Sequence, residues 1–79
     1  MIILYLAHTR RITGVPQEVI TVPGPISIQE LWDLLINRHP TLAPFRLSSR
    51  FARQNDFLPA DARIEPNDEI ALIPPVSGG

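Results

Sequence analysis

Glu69-Ile70-Ala71-Leu72-Ile73 runs directly into Pro74-Pro75-Val76-Ser77-Gly78-Gly79. The first five residues form a short apolar, β-favouring run with the character of a buried strand. Two prolines come next. They remove two backbone donors and cannot continue a ladder, so the strand is expected to stop at Ile73. Prolines also favour an extended backbone, and the six residues 74–79 reach about 20 Å at full extension. Glycine is the residue most costly to order, and a Gly-Gly end has no side chain. Such a tip can enter a narrow channel backbone first. The chain thus divides into a folded unit over residues 1–73 and an extended arm over residues 74–79. The free carboxylate of Gly79 is expected to stand clear of the body and to react inside another protein.

The run Ile2-Ile3-Leu4-Tyr5-Leu6-Ala7 has the same near-continuous apolar character. It reads as a second strand buried in a sheet, and its likeness to Ile70–Ile73 makes the two neighbours at the sheet's centre. His8 to Gly14 is polar and ends in glycine, which predicts a loop. Gln17 to Val22 then forms a strand paired antiparallel with the first, closed by Pro23-Gly24-Pro25.

Ser27-Ile28-Gln29-Glu30 has the pattern of a capping box. Ile28, Leu31, Trp32 and Leu35 fall at helical spacing after it, with Leu34 and Ile36 widening the stripe. One amphipathic helix is predicted over 28–38, ended by Pro40, with Trp32 in the core. Residues 41–49 are a connector with a helical turn near Leu42–Arg46. Arg50 to Gln54 alternates as a short strand, Asn55-Asp56 turns, and Phe57-Leu58 pairs briefly. Pro66-Asn67-Asp68 makes another turn, with Asn67 suited to a left-handed conformation. A hairpin, one helix and a last strand returning to the centre of a mixed sheet make a two-layer α+β domain, the β-grasp or ubiquitin-like fold.

Composition narrows the chemistry. The chain has 79 residues, 44% of them hydrophobic, which suffices for a single small core. It has no cysteine, which removes disulfides, thiolate metal sites and a cysteine nucleophile, and suits a reducing cytoplasm. The net charge of −1 argues against non-specific binding to nucleic acid or membranes. Ile2–Ala7 is too short for a membrane span. Every basic residue is arginine, so no side-chain amine is available for isopeptide formation. His8 and His39 lack metal-ligand spacing and are expected at the surface. No serine lies in a hydrolase motif. Asp56, Asp61, Glu65, Asp68 and Glu69 read as a solvated edge. Arg10, Arg11, Arg50 and Arg53 are candidates for a basic patch that sequence alone does not assemble.

Leu4-Tyr5-Leu6-Ala7 with Arg10 or Arg11 and Gly14, the helix from Ser27-Ile28 through Leu31 and Leu35 to Pro40, Asp68-Glu69-Ile70-Ala71, and the Pro74–Gly79 ending together resemble the small, ubiquitin-like sulfur-carrier subunits of molybdopterin synthase. The terminal motif is the specific part. Two departures stand away from it: Asn67 where the family commonly has glycine, and Ala52-Arg53-Gln54 where it often has Ala-Val-Asn.

The resemblance implies that an ATP-using, ubiquitin-activating-like adenylyltransferase adenylates Gly79 and that a sulfur donor converts it to a thiocarboxylate. It implies that Pro74, Pro75, Val76, Ser77, Gly78 and Gly79 enter the large, catalytic subunit, in a heterotetramer, where sulfur passes to cyclic pyranopterin monophosphate. No cofactor is expected to reside on the chain; ATP would be used on the activating enzyme. Alternatives are a carrier for thiamine synthesis or tRNA thiolation, a protein modifier, and a ubiquitin-like domain that only binds partners.

Overall fold

The computed structural model describes residues 1–75. Its elements are β1 (Ile2–Tyr5), α1 (His8–Thr13), β2 (Gln17–Val19), β3 (Ile26–Ser27), α2 (Ile28–Arg38), a 3₁₀ helix (Pro40–Phe45), β4 (Arg50–Arg53), β5 (Asp56–Phe57), β6 (Arg63–Ile64) and β7 (Glu69–Ile73). Five strands form one mixed sheet in the order β2-β1-β7-β4-β5. The last strand lies between the first and the fourth. β1 and β7 are parallel, with Ile3 beside Ile70 and Tyr5 beside Leu72. The other pairs in this sheet are antiparallel. The neighbouring central strands and the two-layer β-grasp architecture are therefore as the apolar runs predict.

α2 starts where its capping box places it. The Glu30 N–H donates to Ser27 Oγ at 3.1 Å, and the Ser27 N–H donates to Glu30 Oε1 at 3.0 Å. Two orphan donors are thereby satisfied before the first full turn. Leu31, Trp32 and Leu35 are buried and meet Ile3, Tyr5, Phe51, Ile70 and Leu72 from the sheet's inner face. The Trp32 and Phe51 rings lie 4.8 Å apart between centroids, tilted by 49°. Aromatic pairs at this spacing add packing beyond simple burial. Pro40 ends α2 and also begins the 3₁₀ helix, since a first-turn proline loses no helical donor.

The segment expected as a loop at His8–Gly14 is instead α1. Thr9 is fully buried, and its hydroxyl donates to the Leu6 carbonyl at 2.5 Å. Gly14, at φ 81°, closes the helix with its N–H on the Arg10 carbonyl at 2.9 Å. That is the left-handed cap for which glycine is suited. β1 ends at Tyr5 because the chain turns sharply through Ala7, at φ 51°. β2 ends at Val19, short of the expected Val22.

A second, two-stranded sheet pairs Ile26 with Ile64 and Ser27 with Arg63; the sequence reading has no counterpart for it. Asn67 does not take the left-handed conformation expected of it. The non-glycine residues at positive φ among those described are Ala7, Gln54 and Asn55. Pro66-Asn67 turns with the Asp68 N–H on the Glu65 carbonyl at 3.0 Å, which needs no positive φ when Pro occupies the first corner of a type I turn.

Candidate functional site

Strand alternation sends Ile3, Tyr5, Ile70, Leu72 and Phe51 into the core. Their neighbours in sequence therefore face out. The register places Leu4 beside Ala71, Ala71 beside Ala52, and Ala52 beside Phe57, one unbroken row across four strands. The two alanines in the middle make the row a trough between larger walls. Leu6, 38% exposed, and Ile73 extend it toward the end of β7. Phe57 is 52% exposed, and the Arg50 guanidinium carbon sits 4.0 Å from its ring centroid. A cation over an aromatic face holds both in place. The depression has a volume of about 350 Å³. Ala52 is buried and Leu4 and Ala71 are half-buried, so the exposed apolar surface is at Leu6 and Phe57. Gln54, Asn55 and Glu69 also line the depression. A shallow, largely apolar face of this kind is a candidate partner surface.

β7 ends at the same place, at the root of the expected arm. Ile73 closes β7, Pro74 is buried and Pro75 is exposed. The expected reacting residues Gly78 and Gly79, with Val76 and Ser77 of the expected arm, lie outside the described residues. A larger concavity, about 840 Å³, is bounded by Pro23, Pro25, Ile26, Asp33 and Leu34 on the helical side. Neither β1 nor β7 lines it, so it is remote from the arm. The sheet face is the better site on position, although it is the smaller depression.

Some site residues escape the sequence reading. Ile2–Ala7 is expected there to be buried throughout, yet Leu4 and Leu6 belong to the outer face. A continuous apolar run carries no alternation to separate the two faces. Ala52 is hidden for another reason: beside Phe51, its small side chain does not mark which face of the strand it lies on. Phe57, by contrast, is on the open face, while Leu58 packs against the core.

His39, expected at the surface, is half-buried. Its Nε2 lies 2.8 Å from Glu18 Oε1, and its ring meets Tyr5 edge-on at 5.7 Å. The Tyr5 hydroxyl donates to the same Glu18 oxygen, and Arg38 Nη1 reaches the other at 3.4 Å. Burial raises the Tyr5 pKa far above the ordinary phenol value, and the Glu18 carboxylate adds to it. Burial also pushes Glu18 up, but the hydrogen bonds from Tyr5 and His39 and the charges of His39 and Arg38 outweigh it, leaving its pKa lowered. His8 instead lies against Phe45, with ring centroids 5.6 Å apart.

Among the four arginines considered as a patch, Arg53 is turned away to Asp68, at 2.6 Å. Among the described residues no cluster of three or more His, Cys, Asp or Glu could hold a metal. No helix among them is long and apolar enough to cross a membrane.

The ThiS family model matches residues 3–79. The chain belongs to the ThiS family. Within that family it is similar to the molybdopterin synthase sulfur carrier subunit of Homo sapiens, 41% identical over 98% of this chain and 91% of that one. The molybdopterin synthase sulfur carrier subunit of Arabidopsis thaliana is 32% identical over 98% of this chain and 80% of its own length. The fold of this ThiS-family chain superposes on the crystal structure of SAMP1 from Haloferax volcanii with a TM-score of 0.82, at 25% identity, covering 100% of this chain and 98% of that one. The resemblance read from the sequence is borne out at the level of the family and of its β-grasp fold.

Proposed function

We propose that this chain is the sulfur carrier subunit of a molybdopterin synthase. The observation that carries the reading is the identity of 41% with a protein of that name, maintained over nearly the whole of both chains. The geometry supports it: Ile73, which lines the outward depression, is the residue directly before the Pro74–Gly79 segment.

In this reading the chain supplies an electrophile and a docking face, and its partners supply the catalysts. A carboxylate ionises with a pKa of about 3.3–3.7 and resists attack by nucleophiles. An activating adenylyltransferase therefore joins the Gly79 carboxylate to the α-phosphate of ATP, releasing pyrophosphate. A sulfur donor displaces AMP and leaves one oxygen of Gly79 replaced by sulfur. The large, catalytic subunit then receives the arm; the sulfur bonds to cyclic pyranopterin monophosphate, and water cleaves the Gly79 carbonyl–sulfur bond, supplying the oxygen that restores the carboxylate. The absence of cysteine leaves the terminus as the position for transferable sulfur. Gly78 keeps the approach free of side chains, and Pro74–Ser77 set its reach.

Intact-protein mass spectrometry tests this after incubation with the activating enzyme, ATP and a sulfur donor. The expected result is the mass change of one oxygen replaced by sulfur, localised to the C-terminal peptide. A chain that gains no sulfur, and whose partner binding survives a tag fused after Gly79, is a ubiquitin-like interaction domain instead.

A further inference from the structure

β1 and β7 run parallel, so Tyr5 and Leu72 end side by side and the Leu6 N–H reaches the Leu72 carbonyl at 3.4 Å. The segment after β1 therefore sits beside the root of the arm. That segment is α1, carrying Arg10 and Arg11, both exposed. On the other flank of β7, Arg50 is the direct neighbour of Ile73 in the antiparallel pairing with β4. Among the described residues none of these three arginines makes an ion pair, whereas Arg38, Arg46 and Arg53 each do.

The eight acidic residues lie elsewhere. Glu69 stands beside Ile2, at the opposite end of the sheet, and Asp68 precedes it. Asp56 is across from Arg53 at the far tip of the β4–β5 hairpin. Glu65 belongs to the turn before β7 and Asp61 to the one before β6. Glu30 and Asp33 are on α2, and Glu18 is held by Tyr5, His39 and Arg38. Arg63, exposed and without an ion pair among the described residues, is on β6 beside Ser27, away from this end. The end from which the arm departs is cationic on both flanks, with an apolar face between them.

We propose that Arg10, Arg11 and Arg50 form a cationic collar that docks on an acidic rim around the channel of the large subunit that accepts the arm. This rests on the carrier reading and names the chemistry of the partner's surface. Exposed charges of this kind act mainly through long-range attraction: steering raises association rates by about 10- to 1,000-fold and is screened over about 8 Å at physiological ionic strength. The arm must find a narrow opening, so orienting the body before insertion accelerates a step that geometry otherwise makes slow. Guanidinium groups suit the task because they also pair with carboxylates through two parallel hydrogen bonds.

The test is stopped-flow association with the large molybdopterin synthase subunit of the same organism, using the full chain over a range of salt concentrations. Arg10→Glu/Arg11→Glu/Arg50→Glu is expected to lower the association rate about 10-fold or more at low salt and to flatten its salt dependence. The dissociation rate should change less than the association rate. Arg10→Gln and Arg11→Gln give intermediate effects without charge reversal, and the folding of each variant is checked by circular dichroism.

Arg63→Glu makes the same change in net charge as Arg11→Glu at the opposite end of the molecule. It should have the smaller effect; equal effects would show a net-charge response and overturn the collar. Association of the triple variant at the wild-type rate and salt slope also overturns it, leaving the carrier reading intact if both proteins bind. Failure of the wild type to bind the large subunit overturns the carrier reading itself, and the collar with it.

Discussion

Tyr5 and His39 share one oxygen of Glu18: the phenol donates to Oε1, and His39 Nε2 lies 2.8 Å from the same atom. The pair ties the C-terminal end of α2 to the β1–β2 edge of the sheet. Glu18 has a lowered pKa in the folded chain, so its ionised form is favoured by folding. The stability it contributes is complete above the ordinary glutamate range and is lost as pH falls through its depressed folded value. Glu18→Gln should reduce stability at pH 7 by about 1–3 kcal/mol and flatten the acid side of the stability curve. Urea denaturation from pH 7 to pH 3 measures both; a mutant curve parallel to wild type would exclude this role.

The helix gives a prediction with two magnitudes. Ser27 accepts from the Glu30 N–H, and Ser27→Ala should cost about 1 kcal/mol. Leu31 and Leu35 are fully buried, and truncating either to alanine should cost about 2–5 kcal/mol. Equilibrium unfolding separates the two classes. Leucine variants as stable as wild type would mean that this stripe contributes little to the core.

On the sheet's open face, Phe57→Ala should leave the domain folded, since the ring is 52% exposed, while weakening binding to the large subunit by at least about 10-fold. Ala71→Glu places a charge in the middle of the row and should weaken it further. Calorimetric titration gives the affinities. Hydrogen exchange across β7 and the residues beyond it should slow in the complex, and unchanged exchange would exclude this face as the interface.

The β4–β5 hairpin turns on Gln54 and Asn55, both at positive φ, the backbone that a two-residue loop with the right-handed strand twist demands. Glycine adopts that backbone without a Cβ penalty. Asn55→Gly should therefore raise stability by about 0.5–1 kcal/mol. A thermal melt will show whether the midpoint rises.

Deleting Gly79 shortens the arm by about 3.5 Å at full extension. Misplacement by as little as 1 Å at a reacting centre can cost on the order of 100-fold in rate. The deletion, and Gly78→Val or Gly79→Val, should abolish sulfur transfer while leaving the unfolding curve of the domain unchanged. Turnover of the pterin precursor at the wild-type rate by the deletion variant would sink the carrier mechanism.

An element is legible in the sequence to the extent that it carries its own local chemistry. α2 has a reciprocal cap and a full apolar stripe, so its limits are visible residue by residue. β7 and β1 are visible as apolar runs, and their similarity is enough to make them partners. α1 is not legible because it is one short turn-and-a-half held by tertiary contacts: Thr9 is fully buried, and the His8 ring lies against Phe45 of the 3₁₀ helix. The polar surface of His8-Thr9-Arg10-Arg11 outweighs the one available signal, a glycine just past two basic residues. The β3–β6 pair is too short to show a period. Gln54 takes a left-handed conformation for which its side chain gives no sign, whereas Asn67, which has such a side chain, does not need it. The sheet's open face is only partly visible, because deciding which of Leu4 and Tyr5 points outward requires knowing which side α2 covers.

The parallel pairing of β1 with β7 joins the two ends of the domain at the centre of the sheet, with Ile2 beside Glu69 and Tyr5 beside Leu72. No strand pairing among the described residues closes a longer stretch of chain, and β4 cannot join β1's sheet until β7 is between them. The sheet therefore cannot be completed while β7 is still within the ribosome, and its formation carries the loop-closure entropy of most of the sequence. The strand that completes the sheet is also the one that Pro74 and Pro75 follow. A chain that lacks β7 leaves β1 and β4 without their shared neighbour, so the outward face of the sheet exists only once the two ends of the domain have met.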